Sequence, residues 1–250
     1  ESAKMTAVLT KIFGYENIDL AEDVVQASFS KALSNWSLNG IPDNPSEWLN
    51  KVEKNKAMDV VRRNKFSESF DFSSDDKDLL NSEYSLGYVM DTFWEENQIK
   101  DDLLRMMFAC CHDGISKENQ ITFILKTLCG FSTSEVASAL LVSEETISKR
   151  LYRVKKFFRD QQIKPEFPGN AHLKPRVRTV LTAIYLLFNE GYQSQQDLSI
   201  RKDLLNQSMY LCKLLIDNSS TAFSEVFAAM ALMCFHASRI ESRVTEDGSL

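Results

Sequence analysis

Apolar residues recur every three or four positions over most of this 250-residue chain, which is the spacing of amphipathic α-helices. Asp19 and Glu22 have the spacing of a capping box at a helix start. The apolar face of the helix that follows consists of Ala21, Val25, Phe29, Ala32 and Trp36. A second helix is predicted from Asn44, with proline next and Glu47 at the third helical position, to about Arg63. The sequence lacks the alternation typical of strands, so we expect an all-α fold.

A linker divides the predicted helices into two groups. Residues 66–98 lack a sustained period and are rich in Ser, Asp and Asn, which predicts a linker with one short helix near 84–94. The helical pattern resumes at Ile99, and Ser116 caps a helix that Gly130 ends.

A second boundary lies where Pro165, Pro168 and Gly169 interrupt the helical pattern. The apolar helical stretches beyond it lie near residues 173–189, 200–216 and 221–240. We expect them to pack as antiparallel hairpins. The predicted parts of the chain are a domain over 1–65, the linker over 66–98, a domain over 99–164 and a C-terminal domain over 172–250.

The segment from Phe131 to Arg159 predicts a helix-turn-helix. Ser132 and Glu135 form a second capping box, a short helix runs to Leu140, and Ser143 caps a longer helix after a tight turn. The side chains that share the packed face of this helix are Ile147, Leu151, Val154 and Phe158. Its opposite face carries Glu145, Lys149, Tyr152, Arg153 and Lys156, which suit DNA. A solvated amphipathic helix in a bundle would show the same spacing, so both interpretations stay open at this point.

Charge is distributed unevenly along the chain, whose formal net charge is −6. Residues 51–65 hold six basic and two acidic side chains, and residues 142–164 hold seven basic and three acidic ones. Residues 66–98 hold one basic and nine acidic side chains. This acidic segment is either a solvated tether or a shield for the basic helices. Because nucleic-acid binding depends on local patches, the two basic segments favour such a partner despite the negative total.

The arrangement of the cysteine, histidine and acidic residues in the sequence indicates neither a catalytic site nor a metal site. The five cysteines lie in apolar helical surroundings, where thiols usually act as small core residues, and we expect a reducing, cytoplasmic compartment. Cys110 and Cys111 point about 100° apart on a helix, so with His112 they favour a core or helix-end role over zinc. Asn189-Glu190-Gly191-Tyr192 is either a small site or a helix stop with an anchoring tyrosine. We expect no catalysis, no metal, no cofactor and no membrane association.

Several runs of residues resemble a known family. The run from Leu128 to Ala137, LCGFSTSEVA, is similar to the start of region four in group IV sigma factors, the extracytoplasmic-function type. The helix from Ser143 to Arg159 resembles their −35 recognition helix. The run from Asp19 to Phe29, DLAEDVVQASF, is similar to the region-two helix that grips the β′ coiled coil of RNA polymerase. The stretch from Pro45 to Arg63 resembles the helix that engages the −10 element, and the loop from Trp36 to Asp43 resembles the loop that captures a flipped base.

The resemblance implies three sets of contact residues. The set implied for polymerase is Asp19, Leu20, Glu22, Asp23, Gln26 and Phe29. The set implied for the −10 element is Trp36, Asn39, Asn44, Trp48, Lys51, Lys54, Asn55, Arg62 and Arg63. The set implied for the −35 element is Ser143, Glu144, Glu145, Thr146, Ser148, Lys149, Tyr152, Arg153 and Lys156. The residues themselves support the second set, because Lys51, Lys54, Arg62 and Lys65 fall on one stripe of their helix.

Two further runs are similar to a subgroup of these sigma factors that carries a long C-terminal helical extension. They are residues 101–112, DDLLRMMFACCH, and residues 185–192, YLLFNEGY. The resemblance implies that the chain binds the RNA polymerase core, at its β′ coiled coil and β flap, and directs it to specific promoter DNA. It also implies that the C-terminal extension regulates this activity, with intramolecular docking on the sigma core as one route.

Two other functions fit part of the pattern. A helix-turn-helix regulator would bind DNA without the polymerase core, usually as a symmetric dimer. It would need neither the second basic helix nor the run from Asp19 to Phe29. A helical-repeat scaffold would bind another protein and show no dependence on DNA. The two basic segments together with that run favour the sigma factor.

Overall fold

The chain was analysed in a computed structural model that describes residues 2–65, 102–163, 168, 170–192 and 200–240. Within these ranges the structure is helical and contains no strand, which confirms the all-α prediction. The helices are α1 (Ser2–Phe13), α2 (Ile18–Asn39), α3 (Pro45–Lys65), α4 (Asp102–Ala109), α5 (Lys117–Phe123), α6 (Thr133–Ala139), α7 (Glu144–Asp160), α8 (Asn170–Tyr192), α9 (Lys202–Asp217) and α10 (Ser224–Ala237). A 3₁₀ turn over Tyr15–Asn17 precedes α2, and a π-helical turn over Ile124–Leu128 continues α5. The predicted linker and its short helix lie outside the described residues.

The chain divides into two compact units, Glu1–Lys100 and Asp101–Leu250. In the first unit, α1, α2 and α3 pack around one apolar core. Its buried side chains are Met5, Leu9, Phe13, Ala21, Val24, Val25, Ala32, Leu49 and Ala57. Phe29 and Trp36 are half-buried against the same core, so the apolar face predicted for α2 is confirmed.

The two long helices of this unit begin in different ways. The predicted capping box at Asp19 is wrong, because α2 begins at Ile18 and no side chain caps it. The preceding 3₁₀ turn runs directly into the helix, and the Ile18 N–H donates to the Tyr15 carbonyl in place of a cap. At α3 the prediction is confirmed. The Asn44 side chain accepts from the Glu47 N–H at 3.2 Å and donates to the Glu47 carboxylate at 3.1 Å.

The second unit joins the helix-turn-helix to the C-terminal helices. The predicted C-terminal stretches are confirmed as α8, α9 and α10, which pack on one another. Helix α8 also packs against α4, α5 and the π-helical turn. Arg176 of α8 donates to the Phe108 carbonyl at 3.3 Å and lies 3.9 Å from the Asp113 carboxylate. The segments on either side of Pro165 are therefore in direct contact.

The adjacent cysteines lie directly after α4, and both side chains are buried. Burial raises the pKa of the Cys111 thiol to about 12, so this thiol stays protonated. Their position agrees with the predicted core or helix-end role. Among the described residues no group of His, Cys, Asp and Glu side chains is arranged to hold a metal ion. No helix in the same ranges has the length and apolar character of a membrane span.

A carboxyl group of α3 is buried in the first unit. Glu53 of α3 is 4% exposed, and its Oε1 atom has no hydrogen-bond partner among the described residues. Burial raises the pKa of Glu53 from 4.5 to about 7. Because the pKa of the folded chain lies above the unfolded value, Glu53 lowers stability as pH rises from 4.5 to about 7.

Glu53→Gln is expected to stabilise the first unit by about 3 kcal/mol at about pH 8 and to have little effect near pH 4.5. Urea unfolding of the full chain at both pH values measures this, with the fluorescence of Trp36 and Trp48 as the signal in a Trp94→Phe background. Asp43→Asn removes an exposed carboxyl from the same unit and is the control. Equal stability of Glu53→Gln and the parent chain at about pH 8 would show that Glu53 carries no burial penalty.

Candidate nucleic-acid interface

The first helix of the helix-turn-helix, α6, starts at a reciprocal cap. The Ser132 Oγ atom accepts from the Glu135 N–H at 3.1 Å, and the Ser132 N–H donates to the Glu135 Oε2 atom at 2.5 Å. The predicted capping box is therefore confirmed. Since a capping box satisfies two backbone donors that a helix start would otherwise leave unpaired, it fixes where α6 begins.

The turn between the two helices is tight and places one residue in the left-handed region. Leu141 has φ +53°, a conformation that usually selects glycine. The Val142 N–H donates to the Ala137 carbonyl at 3.0 Å, and the Leu141 N–H donates to the Ser138 carbonyl at 3.2 Å. The Leu141 side chain is 91% exposed. The predicted turn at 141–142 is thus confirmed, with backbone strain that packing does not offset.

The second helix, α7, buries the predicted apolar face. Ser143 caps it by accepting from the Thr146 N–H at 3.3 Å. Ile147, Val154 and Phe158 are fully buried, while Leu151 lies half-buried at the edge of the same face. The helix packs against α5 and α6, and the Phe158 ring centroid lies 5.6 Å from that of Phe123. This packing fixes which side of α7 faces solvent.

The outer face of α7 carries the residues predicted to contact the −35 element. Those exposed to solvent are Ser143, Glu144, Glu145, Ser148, Lys149, Tyr152, Arg153 and Lys156. Thr146 is half-exposed beside the cap. Lys149 forms an exposed ion pair with Glu145 at 2.6 Å. Tyr152 is 67% exposed on the same face.

Helix α2 presents a solvent-facing stripe that contains part of the predicted polymerase set. Asp19, Asp23 and Gln26 are exposed and share this stripe with Ser30, at alternating spacings of four and three. Glu22 is half-buried, and Leu20 and Phe29 are half-buried against the core. Three of the residues predicted to contact polymerase thus lie together at the surface. The two apolar ones, Leu20 and Phe29, pack against the core.

The stripe also contains a residue that the sequence analysis missed. Leu33 continues the spacing after Ser30, and its side chain is 73% exposed. A leucine in an amphipathic helix is normally assigned to the core, so its type alone did not mark it. Its position one step along the stripe from Ser30 is the signal that would have found it.

The residues predicted for the −10 element are only partly brought together. Trp36 and Trp48 meet edge to face, with ring centroids 5.4 Å apart, and both are half-buried. Lys51 and Asn55 are exposed, and Lys54 is half-buried. Asn39 and Asn44 flank the loop and are exposed. The side chains of Arg62 and Arg63 lie outside the described residues, although both positions belong to α3.

The loop between α2 and α3 is shorter than predicted. It was expected from Trp36 to Asp43, but α2 continues to Asn39, and Gly40 at φ +80° ends it. The Gly40 N–H donates to the Trp36 carbonyl at 3.0 Å and so closes the last turn. Leu38 and Ile41, which sequence analysis also missed, are largely exposed beside this loop.

Comparisons with known proteins give two family matches. Residues 105–158 match sigma-70 region 4, a segment that includes α5, α6 and nearly all of α7. Residues 176–250 match a family of unknown function, DUF6596. The helix-turn-helix and the helices before it are therefore similar to region 4 of sigma-70 factors.

The chain also resembles a longer protein. An uncharacterized protein of Rhizobium meliloti (strain 1021) is 30% identical over 250 residues, which is 100% of this chain and 58% of the relative. The chain therefore spans little more than half the length of that relative. No solved structure matches this chain.

Leu141→Gly is expected to stabilise the helix-turn-helix by about 0.5–1 kcal/mol, because glycine adopts a positive φ without strain and the exposed leucine makes little packing contribution. Leu141→Ala is the matched control. It removes the same side chain but keeps the β-carbon that causes the strain, so it should give no such gain. Thermal unfolding of the three chains measures the effect, and an equal rise for both variants would contradict a backbone origin.

Proposed function

We propose that the chain is a sigma factor of the extracytoplasmic-function type, which binds the RNA polymerase core and directs it to specific promoters. One observation carries the proposal. The residues that match sigma-70 region 4 include nearly all of the helix-turn-helix, and its second helix presents basic and aromatic side chains to solvent. The proposal therefore rests on a site and not only on the all-α fold.

The proposed −35 contacts follow from the position of each side chain along α7. In a helix-turn-helix, residues near the start of the second helix reach base edges, while the first helix crosses the backbone. Glu145, Ser148 and Lys149 lie in the first turns of α7 and suit base edges. Arg153 lies one turn after Lys149 and has the planar donors that recognise guanine. Lys156, another turn away, suits a phosphate.

The proposed polymerase contact is the exposed stripe of α2. Asp19 and Asp23 give it negative charge, and Leu33 adds an apolar side chain that would lose its contact with water on binding. A mixed stripe of this kind fits a helical partner surface that carries basic and apolar residues. The resemblance of this helix to region two supports the β′ coiled coil as the partner.

The proposed −10 contact is the end of α2 together with α3. The Trp36–Trp48 pair, which is half-buried, forms a rigid aromatic wall beside the loop over residues 40–44. Lys51 and Asn55 are exposed one turn apart on α3 and suit the DNA backbone. Asn39 and Asn44, exposed at either side of the loop, supply hydrogen-bonding groups for a base that leaves the stack.

The C-terminal helices are proposed to regulate this activity through protein contact. They match a family of unknown function and pack directly on the helices of the region-4 match. Such packing lets the C-terminal part influence the DNA-reading helices without contacting DNA itself.

Asp23→Arg is expected to weaken binding to purified core polymerase by about tenfold, because it reverses a charge in the middle of the α2 stripe. Fluorescence titration of the labelled chain with core polymerase measures the affinity. Asp43→Arg makes the same charge change at an exposed site off the stripe and should bind like the parent chain. Wild-type affinity of Asp23→Arg would mean that α2 is not the polymerase contact.

Arg153→Ala and Lys156→Ala are expected to weaken promoter binding in different ways. The probe is the duplex that holoenzyme, assembled from this chain and core polymerase, enriches from a random-sequence library. Loss of a base contact at Arg153 should cost about 1–3 kcal/mol on the enriched duplex and little on unrelated DNA. Loss of a phosphate contact at Lys156 should weaken both duplexes and reduce the salt slope by about 1.

Lys213→Ala, at an exposed lysine of α9 that pairs with Asp217, is the control for both variants. It should leave binding and salt slope unchanged. If Arg153→Ala binds the enriched duplex as tightly as the parent chain, α7 does not read the −35 element through this residue.

A further inference from the structure

The motif Asn189-Glu190-Gly191-Tyr192 forms the last turn of α8, which runs one residue past Gly191 to Tyr192. A β-carbon on Gly191 would lie 2.9 Å from the Leu205 backbone nitrogen and 3.1 Å from the Arg201 carbonyl oxygen. The glycine is therefore required because the first turn of α9 packs directly on the last turn of α8.

This close contact fixes the backbone of Arg201. The Arg201 N–H donates to the Gly191 carbonyl at 2.9 Å, and the Arg201 carbonyl accepts from the Leu204 N–H at 3.1 Å. The tyrosine of the motif links the end of α8 to α10. The Tyr192 ring stacks on Phe188 at 5.9 Å and meets the His236 ring edge-on at 5.2 Å. The residue that starts α9 is thus held by α8, and α8 is held by α10.

The side chain of Arg201 contacts the helix-turn-helix. Its Nη1 atom lies 3.3 Å from the Oε1 atom of Glu135, whose Oε2 atom accepts the Ser132 N–H. One carboxylate therefore closes the capping box of α6 with one oxygen and binds the C-terminal helices with the other. The Glu135 side chain is only 12% exposed, and that of Arg201 is 38% exposed. Water screens this ion pair less than a pair on the open surface.

We infer that Arg201 is a positioning residue for promoter recognition, which holds the start of α6 and, through it, the orientation of α7. The inference rests on the proposed function and assigns a task to the segment that matches a family of unknown function. Helix α6 transmits the restraint because it packs against α7, and each helix has a fully buried apolar side chain, Val136 on α6 and Ile147 on α7. The exposed face of α7 stays open in the same unit, so the C-terminal helices brace the DNA-reading helix without covering it.

The test compares Arg201→Ala, Arg201→Lys and Glu135→Gln in the full chain, alone and assembled with core polymerase. Glu135→Gln keeps an oxygen for the Ser132 N–H but removes the charge that Arg201 binds. Arg178→Ala is the matched control, because it breaks an arginine–glutamate pair within the same C-terminal helices, remote in sequence from the helix-turn-helix. Two quantities are measured: holoenzyme affinity for the enriched duplex as a function of salt, and backbone amide exchange of the chain alone.

Arg201→Ala and Glu135→Gln should each weaken duplex binding by about three- to tenfold, and combining them should add little to either. The salt slope should not change, since Arg201 does not act on phosphate. Amide exchange at residues 132–136 should accelerate while exchange in α5 stays at the parent rate. Arg201→Lys should restore most of the binding, and Arg178→Ala should match the parent chain in both measurements.

Parent affinity for Arg201→Ala would overturn the inference, and so would a salt slope reduced by about 1, which marks a direct phosphate contact. If holoenzyme made with the parent chain enriches no duplex, the proposed function fails instead. Amide exchange is measured on the chain without DNA. Even if no duplex is enriched, unchanged exchange at residues 132–136 in Arg201→Ala would show that Arg201 does not hold the start of α6.

Discussion

Burial of the apolar side of α7 is the interaction on which the second unit depends. Ile147, Val154 and Phe158 are fully enclosed by α5 and α6, at a spacing that leaves one orientation for the helix. Burying side chains of this size contributes about 1.5–3 kcal/mol each, far more than any exposed ion pair on the outer face. Because the apolar side of α7 must be buried, its charged side faces solvent. Helix α8 covers α4, α5 and the π-helical turn, and so leaves that charged side accessible.

Cap chemistry made several elements predictable from sequence. The starts of α3, α6 and α7 depend on hydrogen bonds between residues three positions apart, as at Asn44 with Glu47, so local sequence contains the whole signal. The start of α2 failed for the opposite reason. Asp19 and Glu22 have the right spacing, but the preceding 3₁₀ turn already supplies an accepting carbonyl for the helix start. Sequence spacing did not reveal that turn.

The candidate site was predictable where it follows helix periodicity and not where it depends on tertiary packing. The outward face of α7 follows from its apolar face, and so it was predicted nearly complete. Exposure of Leu33, Leu38 and Ile41 depends on which surfaces α1 and α3 cover, which the sequence does not show. Gly191 could be interpreted as a helix stop from sequence alone. The structure shows that the absence of a side chain at Gly191 allows the close contact with α9. The Arg201–Glu135 pair joins residues 66 positions apart and was beyond any local pattern.

We propose that this chain gives RNA polymerase its promoter specificity. The most direct measurement is transcription in vitro on fragmented genomic DNA from the source organism, with purified core polymerase in the presence and absence of the chain, followed by mapping of transcript 5′ ends. We expect a set of starts that appear only with the chain, that share sequence elements near −35 and −10, and that Arg153→Ala depletes. Identical starts with and without the chain, in a preparation whose chain still binds DNA, would contradict it and favour a regulator that acts without the polymerase core.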